Sequence, residues 1–257
     1  MVFFIQTKQA SLNVFMLAIR KAVQYAYPKT RGPIVMLECI EINPEQSPRK
    51  SIIWLHGLGA DAHDFIPMVS ALNLPKNLGL RFTFPHAPMM PITINQGYVM
   101  RAWYDILALS LDAQIDEENI FRSVALIGNL VQKETSNGLS SQDILLGGFS
   151  QGAVIALMTG LLYPQKLGGI IALSGYLPIQ AEMLFTKVSD ANRTIPIFIA
   201  HGANDNVVPY FLGNAAYESL TAHGYNIEWR TYNMAHEVCG DELRDLSHWI
   251  QQATSIK

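Results

Sequence analysis

Short, continuous runs of apolar residues alternate with segments of helical periodicity along most of this chain. Continuous apolar runs are typical of strands that are buried on both faces of a parallel sheet. Apolar positions spaced by three and four residues are typical of helices that bury one face. On this pattern we predict strands at residues 35–42, 51–55, 80–84, 144–146, 170–173, 195–200 and 227–232.

The longest predicted helix begins after Asp116, where the local signal is clear. Asp116 is a good N-cap, and Glu117 and Glu118 place negative charge in the first helical turn. Further helices are predicted at residues 153–162, at residues 209–223 and from residue 241 onward. Because helices separate the strands, we expect right-handed crossovers and a single α/β domain. Its central sheet should be mostly parallel, with helices on both faces.

The composition indicates an ordered globular protein. The 257 residues suit one domain with a sizeable core, since 49% are hydrophobic and 15% are charged. The net charge of −3 gives no electrostatic footprint for a nucleic-acid partner, and no apolar run has the length of a membrane-spanning helix. Two cysteines, Cys39 and Cys239, are too few for a disulfide scaffold, so we expect a cytoplasmic location.

The N-terminal segment differs in charge from the rest of the chain. Residues 1–37 contain no Asp or Glu, and their charged residues are all basic. Apolar side chains recur there at helical spacing, at Leu12, Phe15, Met16, Ile19, Val23 and Ala26. We therefore separate a basic amphipathic extension, residues 1–34, from the domain at residues 35–257.

Three hypotheses for this extension stay open. It can be a helix packed on the domain or on a partner, including a second copy in a homodimer. It can be a basic helix that makes peripheral contact with a membrane surface, or a transit-like leader. Alternatively, translation starts at Met36, where the domain begins.

A serine stands between a predicted buried strand and a predicted helix. The sequence there is a G-x-S-x-G, formed by Gly148-Phe149-Ser150-Gln151-Gly152. In this context the serine lies on a tight, strained turn that exposes its Oγ at the top of a sheet. The glycines fit such a turn because a Cβ at either position would clash between strand and helix. Ser150 is therefore a candidate nucleophile.

Partners for Ser150 are expected at the carboxyl ends of other strands, where chemistry gathers in parallel sheets. Asp205 follows the strand predicted at 195–200, and His236 follows the strand predicted at 227–232. Serine is a weak nucleophile, so a base such as His236 must accept its proton. Asp205 would fix the imidazole tautomer and stabilise the imidazolium. Along the chain these residues follow the order Ser, Asp, His, which is the order in hydrolases that carry the nucleophile on such a strand-to-helix turn.

A glycine-rich stretch after the second strand is a candidate oxyanion loop. It reads His56-Gly57-Leu58-Gly59-Ala60-Asp61, and this fold supplies one backbone N–H from that position. A second N–H would come from Gln151, directly after the nucleophile. The alternative is that the stretch is a flexible turn. The nearby histidines show no recognised ligand spacing, so we expect no metal, and no cofactor is indicated.

Taken together, these motifs resemble one known family. They are the 55–61 and 84–88 segments, the G-x-S-x-G, the 173–178 segment, His201-Gly202 with Asp205 and 207–209, and Ala235-His236-Glu237. From about Met36 onward, the chain resembles the phospholipase/carboxylesterase family of α/β-hydrolases, which includes acyl-protein thioesterases. The resemblance implies an α/β-hydrolase fold without a large lid domain and a Ser150–His236–Asp205 triad. It also implies oxyanion donors at Leu58 and Gln151. The segment before Met36 has no counterpart in the family pattern.

The segment 88–105 is unusually apolar for a solvated connection. The resemblance implies that it forms a loop beside an acyl pocket, with Trp103 and Tyr104 in it. Methionines give adaptable apolar walls, so Met89 and Met90 join these two residues as predicted substrate contacts. The alternative is that the segment only covers the core.

Two classes of function follow. The first is a serine carboxylesterase or thioesterase that hydrolyses carboxylic esters or acyl thioesters through an acyl-enzyme on Ser150. Its substrates would have short to medium acyl chains, as small-molecule esters, acyl-proteins or lysophospholipid-like molecules. The second is a catalytically inactive binding module on the same fold. No residue distinguishes esters from thioesters as the preferred substrate.

Overall fold

A computed structural model describes residues 36–107, 115–178 and 184–255. Within these ranges, seven strands form one sheet. They are β1 (Cys39–Ile42), β2 (Lys50–Leu55), β3 (Leu80–Pro85), β6 (Ile144–Phe149), β7 (Gly169–Leu173), β8 (Ile197–Gly202) and β9 (Ile227–Tyr232). Their order across the sheet is β1-β3-β2-β6-β7-β8-β9, in which β1 is antiparallel to β3 and the other neighbouring pairs are parallel. The predicted mostly parallel sheet is confirmed.

In the described part of the chain, five α-helices lie against the two faces of this sheet. They are α1 (Ile66–Ala71), α2 (Glu117–Ser136), α3 (Gln151–Leu162), α4 (Tyr210–Ala222) and α5 (Gly240–Ser255). Side chains that alternate along each strand enter two separate cores. Ile53 packs into the core that contains residues of α2, α3 and α4, whereas Ile52 packs with residues of α1 and α5. Helices on both faces are thus confirmed.

The predicted start of the long helix α2 is confirmed by its hydrogen bonds. The Asp116 carboxylate accepts from the backbone N–H of Asn119 at 3.2 Å and caps the free end of the helix. Every residue of α3 is buried, so this helix lies at the centre of the domain. It begins at Gln151, immediately after Ser150, instead of at Ala153 as predicted.

The segment 88–105 was expected to be a loop, and this expectation is wrong. It contains an antiparallel hairpin of β4 (Met89–Ile92) and β5 (Tyr98–Arg101). The chain reverses through Gln96 and Gly97, which both have positive φ. Pro91 lies within β4, because proline is tolerated in an edge strand that needs no further partner. Two smaller differences are α1, which was not predicted, and β1, which is shorter than predicted.

The proposed N-terminal extension lies outside the described residues, so the boundary at residue 34 stays a prediction. Within the part of the chain that the structure describes, no helix has both the length and the apolar character needed to cross a membrane. Cys39 and Cys239 are both free thiols.

Candidate active site

Ser150 lies on the sharp turn between β6 and α3. Its φ of 56° and ψ of −120° are unusual for a residue with a side chain, and such strain costs about 1–3 kcal/mol. Its backbone N–H donates to the carbonyl of Leu173 at 2.8 Å, which ties the turn to the neighbouring strand β7. The surrounding sheet and helix therefore hold the strained conformation.

The two glycines of the G-x-S-x-G are required by close backbone approach. A Cβ on Gly148 would lie 2.4 Å from the carbonyl carbon of Gly152. A Cβ on Gly152 would lie 2.2 Å from the carbonyl oxygen of Leu55, at the end of β2. Any other residue would push the helix away from the strand ends, as the sequence argument predicted.

The structure brings Ser150, His236 and Asp205 together in one hydrogen-bonded chain. The Nε2 atom of His236 lies 2.9 Å from the Oγ of Ser150, and its Nδ1 atom lies 2.7 Å from Oδ2 of Asp205. Because a carboxylate only accepts, Nδ1 carries the proton and Nε2 has a free lone pair. That lone pair faces the serine hydroxyl, as a general base requires.

The carboxylate of Asp205 is completely buried and well supplied with donors. Its Oδ1 accepts from the backbone N–H groups of Val207 at 2.9 Å and Val208 at 2.8 Å. Its Oδ2 faces His236 and also lies 3.4 Å from Nε2 of His201. These contacts fix the plane of the carboxylate and hence the orientation of the His236 imidazole.

His201 belongs to one of the motifs in the sequence, and no role was predicted for it. Its Nε2–H donates to the carbonyl of Val208 at 2.8 Å, in addition to the longer contact with Asp205. Burial lowers the pKa of His201, so the neutral ring is the favoured form. A histidine at a strand end, four positions before the candidate acid, is the signal that could have drawn attention to it.

An aromatic ring packs against the base. The centroids of Phe149 and His236 are 4.8 Å apart, and Phe149 in turn contacts Phe65 with a centroid distance of 5.9 Å. An aromatic face at this distance attracts a positively charged ring. Phe149 would therefore favour an imidazolium at His236 if His236 is the general base, as predicted.

The glycine-rich stretch after β2 lies beside Ser150 and is firmly held. A Cβ on Gly57 would lie 3.4 Å from the Cβ of Ser150. His56 donates from Nδ1 to the carbonyl of Gly57 at 2.7 Å and accepts at Nε2 from the N–H of Ala87 at 3.0 Å. Burial lowers the pKa of His56 and so favours the neutral ring that this pairing needs. Hydrogen bonds thus hold the stretch beside Ser150, and its role as an oxyanion loop stays a prediction.

Two backbone N–H groups next to Ser150 remain available to a bound group. Within the described ranges, the N–H of Leu58 donates to no protein acceptor. Gln151 is the first residue of α3, so its N–H has no acceptor inside the helix. One donor belongs to the loop after β2 and the other to the start of α3, and their role as an oxyanion hole stays a prediction.

The four residues predicted to contact substrate have different surroundings. Met89 is 58% exposed on the hairpin, and Met90 is half-buried and lines a cavity of about 560 Å³ near the start of α2. Trp103 and Tyr104 are buried instead. The indole N–H of Trp103 donates to the carbonyl of His56 at 2.9 Å, and the Tyr104 hydroxyl pairs with that of Tyr176. Contact of these four side chains with substrate stays a prediction.

A mostly parallel sheet, a strained serine elbow and a Ser–His–Asp hydrogen-bond chain at the strand ends define an α/β-hydrolase. Helices cover both faces of the sheet, as in that class. The chain belongs to the phospholipase/carboxylesterase family, which matches residues 37–254.

Individual relatives agree with this assignment. Acyl-protein thioesterase 1 of Neurospora crassa is 38% identical over 210 residues, which cover 79% of this chain and 86% of that protein. The crystal structure of Arabidopsis thaliana SOBER1 has a TM-score of 0.76 at 30% identity and covers 80% of this chain and 99% of its own. The crystal structure of Zea mays acyl-protein thioesterase 2 has a TM-score of 0.75 at 28% identity, with coverages of 84% and 99%.

Proposed function

We propose that this protein is a serine hydrolase that cleaves carboxylic esters or acyl thioesters through an acyl-enzyme on Ser150. The observation that carries the proposal is the unbroken chain from Ser150 Oγ through His236 to the buried carboxylate of Asp205, at 2.9 Å and 2.7 Å. A binding module without activity would have no need for this geometry, and the strain at Ser150 would have no use in it.

The reaction has two halves. His236 accepts the proton of Ser150 as Oγ attacks the carbonyl carbon, and the carbonyl oxygen becomes an oxyanion. The N–H groups of Leu58 and Gln151 stabilise that charge, and Asp205 stabilises the imidazolium. The imidazolium then protonates the leaving alcohol or thiol, and the acyl group stays on Oγ. Water, activated by His236, attacks the acyl-enzyme in the same way and frees Ser150.

The substrate class follows from the relatives and from the surface near the site. Similarity to acyl-protein thioesterase 1 of Neurospora crassa supports acyl thioesters on proteins, with small-molecule esters and lysophospholipid-like molecules as further candidates. The hairpin adds exposed apolar side chains, Met89, Tyr98 and Val99, that suit an acyl chain. We expect Met89, Met90, Trp103 and Tyr104 to form or support the acyl-binding wall.

The location and partners of the enzyme are proposed from its cysteines, its charge and its N-terminal segment. The free thiols of Cys39 and Cys239 are consistent with a cytoplasmic enzyme. No nucleic-acid partner is expected from the charge. Residues 1–34 would add at most peripheral membrane contact or a homodimer surface, and residues 35–257 would form the catalytic domain.

The decisive experiment is the Ser150→Ala variant, assayed with p-nitrophenyl esters and acyl-CoA thioesters of graded chain length. The variant loses only the hydroxyl that faces His236 and no apolar core contact, so turnover should vanish while the melting temperature is kept. Ser51→Ala is the matched control, because Ser51 is a buried serine whose Oγ has no partner among the described residues. Turnover near the wild-type rate in Ser150→Ala would exclude Ser150 as the nucleophile, and the two substrate series separate esterase from thioesterase preference.

A further inference from the structure

The short segment of residues 101–104, after the hairpin, lies between the two sides of the proposed oxyanion hole. On one side it meets the loop that contains Leu58, and on the other it meets Gln151 at the start of α3. A third contact comes from α2, where the Ser123 hydroxyl donates to the carbonyl of Trp103 at 2.5 Å. We call residues 101–104 the bridging segment.

The side chain of Gln151 forms two hydrogen bonds with the backbone of this segment. Its Oε1 accepts from the backbone N–H of Trp103 at 2.8 Å, and its Nε2 donates to the carbonyl of Tyr104 at 2.7 Å. The side chain is buried, so each of these backbone groups would lose its partner if the amide were removed. Only a group that both accepts and donates can satisfy this pair.

The bridging segment in turn holds the loop of Leu58 from both sides. The Trp103 indole N–H donates to the carbonyl of His56 at 2.9 Å, before Leu58. The carbonyl of Arg101 accepts from the N–H of Gly59 at 2.9 Å, after Leu58. A continuous hydrogen-bonded path therefore runs from the Gln151 side chain to the residues that flank the Leu58 N–H.

We propose that Gln151 is a positioning residue. Its side chain holds the Leu58 N–H in place relative to the Gln151 N–H. The inference rests on the proposed function, because it concerns the two oxyanion donors of that site. Oxyanion stabilisation depends on donors that are already in place when charge develops. One donor belongs to the β2 loop and the other to α3, and the Gln151 side chain links the two elements through the bridging segment. Trp103 is the middle member of this path, through its backbone N–H on one side and its indole N–H on the other.

The first test is Gln151→Met, which keeps the side-chain volume and removes both hydrogen bonds. We expect kcat to fall by roughly ten- to a hundredfold with KM little changed, since a misplaced donor loses part of the 10²–10³ effect of a missing one. Affinity for an alkyl boronic acid, which forms a tetrahedral adduct on Ser150, should fall in parallel. The control is Leu161→Ala, a buried residue of the same helix, which should lower the melting temperature without changing kcat or boronate affinity.

The second test is Gln151→Glu, and it separates positioning from stability. A protonated carboxyl can accept from Trp103 and donate to Tyr104, whereas a carboxylate can only accept and faces the Tyr104 carbonyl. The ratio of kcat/KM between variant and wild type should therefore rise as the pH falls. General destabilisation would not restore activity under acid conditions.

The outcomes separate the inference from the function on which it rests. A flat pH ratio for Gln151→Glu, or an unchanged kcat and boronate affinity for Gln151→Met, would overturn the inference alone. A wild-type protein that hydrolyses none of the esters and thioesters would overturn the proposed function and this inference with it.

Discussion

Asp205 and Glu242 are both buried carboxyl groups, and they have opposite surroundings. Asp205 faces two backbone N–H groups through Oδ1 and the imidazole of His236 through Oδ2. Glu242 is fully buried in the first turn of α5, and within the described residues neither of its carboxyl oxygens has a hydrogen-bond partner. Burial raises the pKa of Glu242 to about 8, and the Cys239 backbone opposes this only in part.

The difference shows that burial by itself does not make a carboxyl group functional. Donors directed at both oxygens stabilise a negative charge at Asp205, where the reaction needs one beside His236. Glu242 lacks donors directed at both oxygens, so its burial favours the protonated form. The two groups should therefore respond to amide substitution in different ways, one through catalysis and the other through stability.

The largest effect is expected from Asp205→Asn. The amide keeps the shape but presents a donor group to His236, which favours the wrong tautomer, and kcat should fall by roughly 10⁴, the value for this change in a serine protease. Steady-state kinetics and a melting curve measure the loss and check the fold. Asp190→Asn is the control, because the Asp190 side chain is 98% exposed and should change neither quantity. A larger loss of kcat in Asp190→Asn than in Asp205→Asn would show that Asp205 is not the acid of the triad.

A smaller effect is expected from His201→Phe, which removes one donor from the surroundings of Asp205. Loss of this one long contact to the carboxylate should cost about 1 kcal/mol, so kcat should fall by about fivefold. His201→Gln should recover part of it by restoring an N–H donor. In an Asp205→Asn background the His201→Phe change should have little further effect on kcat, because both act through the same carboxylate. Fully additive losses would show that His201 acts elsewhere.

Glu242→Gln should affect stability and leave kcat at neutral pH nearly unchanged. The raised pKa means that the folded state binds a proton more tightly than the unfolded state. This contribution is fully present below the unfolded pKa, near 4.5, and is lost as the pH rises towards about 8. Glutamine does not ionise, so the melting temperature of the variant should rise relative to wild type across that window. Parallel curves of melting temperature against pH would contradict the assigned burial effect.

Local sequence signals were sufficient for much of the fold and for three side chains that the structure brings together. The apolar runs predicted the parallel strands because strands buried on both faces need continuous apolar residues. Asp116 predicted the start of α2 because a carboxylate satisfies the free N–H groups there. Ser150, Asp205 and His236 could be found because each follows a strand, and parallel strands bring their carboxyl ends to one edge.

The hairpin marks where local signals failed. Its apolar side chains show no clear alternation of exposed and buried positions, and its β4 strand contains a proline, Pro91. Gly97 was the available signal, since glycine readily adopts the positive φ that this turn requires. The burial of Trp103 could not be read locally either, because it depends on segments far away in the chain.

The sequence by itself determined the order of strands and helices, the strained turn at Ser150 and the identity of the Ser–His–Asp group. These properties depend on periodicity, on glycines and on the order of strand ends, which can all be read along one chain. Only the tertiary structure decided what surrounds that group. The Gln151 amide meets Trp103 across 48 positions of sequence, and the Trp103 indole meets His56 across 47. Such contacts produce no periodic pattern in the sequence. The two partners come within hydrogen-bonding distance only when separate loops pack together.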